Sequence, residues 1–356
     1  MQSKINVLNL NEERDPHGRL IFRRPPPNKG WLELHTEPVI EPNLAIVDSH
    51  HHIWDQDGGY MLEDLLDDTS SGHRIIATVF MQSHWCYRKE GPEAMQPVGE
   101  VERVAIVAKA AERSNLPIKV CAGIVGFADM ELGDEVAPIL EALIEAGNGR
   151  FRGIRHATVS DNRITNNLAR VLPFDMLQNS KFQRGLAQLQ AAGLNFDAWI
   201  YHTQIPQLIK VARTFPRLPF ILNHIGAPLG VGPYAAMRKE VFKDWCASLK
   251  ELATCPNVYI KLGGLGMVVF GFNFHEHLKP PSSQILADEW RPYLEIPIEL
   301  FGSKRCMFES NFPVDKASSS YLTLWNAFKR ITQGASDTDK FWLYSGTATS
   351  TYKLSL

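Results

Sequence analysis

Long apolar runs are missing from this chain. No stretch approaches the ~18 uninterrupted apolar residues that a membrane-spanning helix needs, so a membrane is not expected as a partner. The start, MQSKINVLNLNEERD, lacks the apolar core and small-residue cleavage site of a signal peptide. An excess of charge is missing too. With 37 basic against 39 acidic residues, nothing attracts nucleic acid or an anionic lipid surface, and a small-molecule substrate becomes the default. The five cysteines are scattered without a CxxC spacing, which excludes a disulfide framework and a thiolate zinc site and fits a reducing, cytoplasmic setting. No glycine-rich fingerprint follows a strand, so no nucleotide cofactor is expected.

What is present is material for a core: 44% of residues are hydrophobic and 21% charged, in a length that suits two domains or one large α/β barrel. Residues 1–43 are polar and carry Pro25-Pro26-Pro27, Pro38 and Pro42 without periodicity. They read as an N-terminal arm, and Trp31, Leu32 and Leu34 argue that it lies against the body of the protein. From residue 44 to 356, short apolar runs alternate with segments of helical period.

Eight candidate strands emerge, at 44–50, 75–81, 118–125, 151–157, 195–202, 219–224, 257–263 and 305–311. The clearest helix is 203–215, where Ile205, Leu208, Ile209, Ala212 and Phe215 recur at three- and four-residue steps with Pro206 in the first turn. This alternation predicts a (β/α)8 barrel, with a doubly wound open sheet as the other arrangement. Two long connections, 83–98 and 264–284, follow strand C-termini and read as substrate loops.

Polar residues gather at the same strand ends. VDSHHHIWD closes the first strand, and in an extended chain His50 and His52 share a face that His51 does not. Two imidazoles so placed suit a divalent metal or polarise a carbonyl. Arg155 lies at the end of the fourth strand, His202 closes the fifth, His224 the sixth, Lys261 lies near the end of the seventh and Asn311 closes the eighth. One convergent site explains that distribution. Each residue also has a structural alternative: His224 as a core histidine, His202 as a helix-cap neighbour, Arg155 and Lys261 as members of internal ion pairs.

The stretch DSHHHIW at 48–54, with FRGIR at 151–155, NHIGAP at 223–228, KLGG at 261–264 and ESNFPVD at 309–315, resembles the amidohydrolase-related branch of the amidohydrolase superfamily, in matching order along residues 44–356. The resemblance implies a TIM-barrel hydrolase similar to sugar lactonases and to 2-pyrone-4,6-dicarboxylate lactonase, opening a lactone or related ester by water attack. Decarboxylases occur among superfamily neighbours, so a lyase on this scaffold is the alternative, and a silent binding barrel the third. It implies a site of His50, His52, His202, His224 and Asn311, with Trp54, Arg155 and Lys261 against the substrate. A divalent metal, zinc or manganese, is expected on His50, His52 and His224 in those relatives that use one. A homo-oligomer is compatible with the arm.

One position departs from the family pattern GSDWP: here Glu309-Ser310-Asn311-Phe312-Pro313 puts an amide where the family has a carboxylate. Asparagine cannot take the proton of a water. His224 or His202 is then the first candidate base, Glu309 or Asp315 the second, and Asn311→Asp is expected to raise metal uptake.

Overall fold

The structure, a computed structural model, describes residues 13–55, 58–114, 116–165 and 172–356. Eight parallel strands follow in chain order: β1 Ala45–His51, β2 Arg74–Met81, β3 Lys119–Gly126, β4 Phe151–Ile154, β5 Asn195–Ala198, β6 Phe220–Leu222, β7 Val258–Leu262 and β8 Cys306–Phe308. Each pairs with its sequence neighbour, with helices interleaved. Helices on the outside require strands buried on both faces, which is why these segments read as apolar runs. The seam between β8 and β1 is closed just past the strand ends, where Asn311 N–H donates to the His50 carbonyl and His52 N–H to the Phe312 carbonyl, both at 2.8 Å. The sheet is thereby a (β/α)8 barrel, and the open-sheet alternative falls away.

Val47, Val79, Val125, Ile221 and Met307, from strands around the barrel, meet in one buried cluster that Tyr352 and Leu354 of the chain's end complete. The helix foreseen at 203–215 runs Ile205–Thr214, burying Ile205, Leu208, Ile209 and Ala212 with Pro206 in its first turn. A further helix, Ser283–Phe301, precedes β8. Pro292 and Pro297 lie inside it and interrupt the helical pattern, yet Ser282 caps its start by accepting from Ile285 N–H, and one face packs Leu286, Trp290 and Leu294 into the core.

The first twelve residues of the arm lie outside the described residues. Beyond them, Leu20–Ile21 pairs parallel with Ile164–Thr165, and further along Ile40 N–H donates to Asn326 Oδ1 at 2.8 Å. The chain between these anchors crosses the mouth of the barrel.

Candidate active site

Several strands stop sooner than their apolar runs suggest. Because β4, β5 and β8 end at Ile154, Ala198 and Phe308, Arg155, His202, Glu309 and Asn311 all sit in turns above the sheet. His224 and Asn311 hold left-handed backbone at φ 52° and 55°, unusual for side-chain-bearing residues and concentrated here at the strand ends. In β1 the register against β2 shifts between Asp48 and His51. His50 then joins a polar cluster, while His51 turns to Cys121, with its Nε2 3.8 Å from Sγ.

The cluster is built around Glu309. Its Oε1 lies 2.6 Å from His224 Nδ1 and accepts the His224 backbone N–H at 3.1 Å. Its Oε2 lies 2.8 Å from His50 Nδ1, off the aligned hydrogen-bond direction but close enough that a ring lone pair there would be repelled. With Glu309 ionised, both imidazoles carry their proton on Nδ1. His52 does likewise, since its Nδ1 faces the Met81 carbonyl at 2.9 Å. The consequence is electrostatic. The Nε2 lone pairs of His50 and His52 face one another at 3.2 Å, with Arg155 Nη1 donating to His50 Nε2 at 3.2 Å.

Such an arrangement calls for a cation. Burial holds His50, His52 and His224 well below the usual imidazole range, helped by Lys261 at His50 and by Arg155 at the other two, so all three stay neutral and able to ligate. Neutral imidazoles with Nδ1 fixed from behind are a donor set that fits zinc or a similar divalent ion. His50, His224 and Glu309 also bring ligand atoms within 4.8 Å of one another. With Glu309 beside the Nδ1 atoms of His50 and His224, the Nε2 atoms of His50 and His52 are the ones that would hold such an ion. Burial raises the Glu309 carboxyl to about 8, opposed by the Lys261 ammonium.

Lys261 was expected at the substrate. Instead it is fully buried, forms an ion pair with Asp197 at 3.0 Å and lies 3.5 Å from His50 Nδ1, which is the internal pairing its position also allowed. Asp197 was not foreseen, although a lone acid inside the apolar run of β5 was its signal. It also accepts from Asn223 Nδ2 at 2.9 Å and from Tyr352 Oη at 2.8 Å. His202 was expected with the catalytic histidines. Its strand ends early and it begins the turn into the next helix, where Nδ1 accepts Leu229 N–H at 3.4 Å and the ring meets Tyr234 edge-on. These contacts lie outside the Glu309 cluster.

A cavity of about 680 Å³ opens above the cluster. His52, Arg155, His224 and Asn311 reach it from below, and Trp54 and Trp199 form walls. Asn311 donates from Nδ2 to Asp315 Oδ1 at 2.7 Å, while Asp315 Oδ2 accepts Gly266 N–H at 2.8 Å. The amide is thus fixed, and its oxygen remains to accept from a ligand or a water.

A sequence model of the amidohydrolase family matches residues 47–354. The chain is 31% identical over 336 residues to "Uncharacterized protein y4mH" of Sinorhizobium fredii, covering 88% of this chain and 99% of that one. It is 25% identical over 288 residues to an L-fucono-1,5-lactonase of Burkholderia ambifaria, covering 77% and 82%. Among solved structures, an amidohydrolase of Burkholderia multivorans with bound zinc superposes with a TM-score of 0.66 at 21% identity, over 87% of this chain and all of that one. No helix among the described residues is long and apolar enough to cross a membrane. The barrel, the histidines at its strand ends and the family match agree: the chain is an enzyme of the amidohydrolase family.

Proposed function

We propose that this enzyme opens a lactone or related ester of a small organic or sugar acid by water attack at the barrel mouth. The observation that carries the reading is the His224–Glu309 pair. Once ionised, a state that burial defers to about pH 8, Glu309 holds the Nδ1 proton, which leaves His224 Nε2 as the proton acceptor beside the cavity, and the carboxylate stabilises the imidazolium that forms when water gives up its proton. Relatives named as lactonases support the class of substrate.

The remaining residues divide the work. Asn311 offers its amide oxygen to the attacking water, fixed by Asp315 but unable to act as base. Arg155, whose Nη2 is tied to the Gln82 carbonyl at 2.6 Å, presents its guanidinium where the carbonyl oxygen gains charge. Lys261 stays beneath, keeping a positive charge beside His50. A divalent metal, when bound, would be held by Nε2 of His50 and His52 with His224 beside them, and would polarise the ester carbonyl.

The test is a lactone panel assayed with the wild type, with chelator-treated enzyme and with the His50→Ala/His52→Ala double variant. Loss of about 3–4 kcal/mol of transition-state stabilisation, several hundredfold in kcat/KM, is expected of the double variant. Near-normal turnover by a folded double variant, or no turnover of any lactone by the wild type, refutes the reading.

A further inference from the structure

Arg155 Nη1 lies 3.2 Å from His50 Nε2, in a contact that is buried on both sides. A guanidinium only donates, so His50 Nε2 is the acceptor and its single lone pair is engaged in that bond. The same atom faces His52 Nε2 at 3.2 Å, and His52, with Nδ1 against the Met81 carbonyl, also turns a lone pair inward. Arg155 thus supplies part of the positive charge that two facing lone pairs call for. A divalent ion would call on the same pair.

One lone pair cannot serve both. A ring nitrogen that ligates a metal has nothing left to accept an N–H, and both partners must approach along the same direction in the ring plane. Zinc–imidazole bonds run to only ~2.1 Å, inside the 3.2 Å at which Arg155 Nη1 stands, and the two positive charges repel. The other cation of the cluster is no rival, because Lys261 lies on the Nδ1 side of His50, at 3.5 Å, and is held by Asp197 at 3.0 Å.

Arg155 is mounted so that Nη1 can leave. Its backbone N–H donates to the Gly126 carbonyl at 2.8 Å, and Nη2 donates to the Gln82 carbonyl at 2.6 Å. Nε is buried and has no acceptor among the described residues, so opening the Nη1 contact breaks one hydrogen bond and leaves both anchors in place. The side chain already lines the cavity, which gives Nη1 a place to turn.

We infer that Arg155 competes with the divalent ion for His50 Nε2, so that this one side chain sets the metal affinity of the centre and, once displaced, turns its free N–H groups to the substrate. The inference takes its metal ligands from the reading above, but does not depend on lactone hydrolysis.

The probe is zinc alone, titrated into chelator-stripped full-length protein against a competing chromophoric chelator. Arg155→Met should bind zinc at least about tenfold more tightly than the wild type, whereas Arg155→Met/His50→Ala should show no gain over His50→Ala. Zinc-loaded crystals of the wild type should show Nη1 drawn away from His50 Nε2 with Nη2 still at the Gln82 carbonyl. Equal zinc affinity of wild type and Arg155→Met overturns the inference. So does an equal gain in the His50→Ala background, which would mark a general field effect, or zinc held by other residues in the wild-type crystals. Lactone turnover of the same samples is a separate readout: zinc affinity governed by Arg155 in protein that opens no lactone leaves the competition standing and refutes the hydrolase reading, and the reverse result refutes the competition alone.

Discussion

Glu309 Oε1 lies 2.6 Å from His224 Nδ1, in a fully buried pair that spans the ends of β6 and β8. A carboxylate that orients a catalytic or ligating imidazole cannot be replaced by its amide without penalty. An amide nitrogen would face one ring N–H, so either His224 or His50 must change tautomer or turn. Glu309→Gln, nearly isosteric, should lower kcat/KM by about 10–100-fold and lower metal content in parallel. Steady-state kinetics and elemental analysis on the same preparation check this, and unchanged values would remove Glu309 from the site.

Restoring the family's carboxylate at position 311 is less simple than the sequence suggests. Asn311 Nδ2 stands 2.7 Å from Asp315 Oδ1, so Asn311→Asp sets two buried carboxyls against each other. The single variant should be destabilised by about 1–3 kcal/mol in urea unfolding. Asn311→Asp/Asp315→Asn, which reverses the pair, should recover most of that loss and is the variant in which metal uptake is expected to rise.

Gly264 holds φ +74°, and a Cβ there would stand 2.5 Å from His224 Nδ1. The neighbour is the ring proposed above as the base. Gly264→Ala should therefore push His224 from Glu309, with a fall in kcat/KM of about 10²-fold and a loss of about 1–3 kcal/mol of stability. Kinetics with circular-dichroism melting separate the two effects, since activity should fall in protein that remains folded.

Glu100 provides the pH dependence. Burial raises its carboxyl to about 7, against hydrogen bonds to Oε1 from the N–H groups of Trp85 and Ser83 at 2.8 and 2.9 Å. The folded protein keeps this proton where the unfolded chain, with the ordinary value 4.5, has lost it. Its contribution is complete below pH 4.5 and fades as the pH rises through about 7. Stability of the wild type relative to Glu100→Gln should fall by on the order of 3 kcal/mol across that window, measured by urea titration at several pH values. A constant difference would contradict the shift.

The strand order was legible because strands buried on both faces must be apolar, and the residues at their ends were legible because polar groups interrupt those runs at one end only. His50, His52, His224, Arg155 and Asn311 were found in this way, and the structure places all five in or beside one cluster. Strand length was less legible. The run 195–202 continues past Ala198 in hydrophobicity but not in pairing, and that difference carried His202 away from the group.

The sequence by itself determined the barrel, the end of it that carries chemistry and the departure at Asn311, because periodicity and residue type record which side chains must be buried. Only the tertiary structure decided that Glu309 joins His50 to His224, that Asp315 fixes Asn311, that Lys261 pairs with Asp197, and that the arm covers the mouth. The physical reason is that these relationships depend on left-handed turns, a register shift and the closure of a barrel seam. Each of these redirects a side chain by ångströms without altering the apolar pattern along the chain.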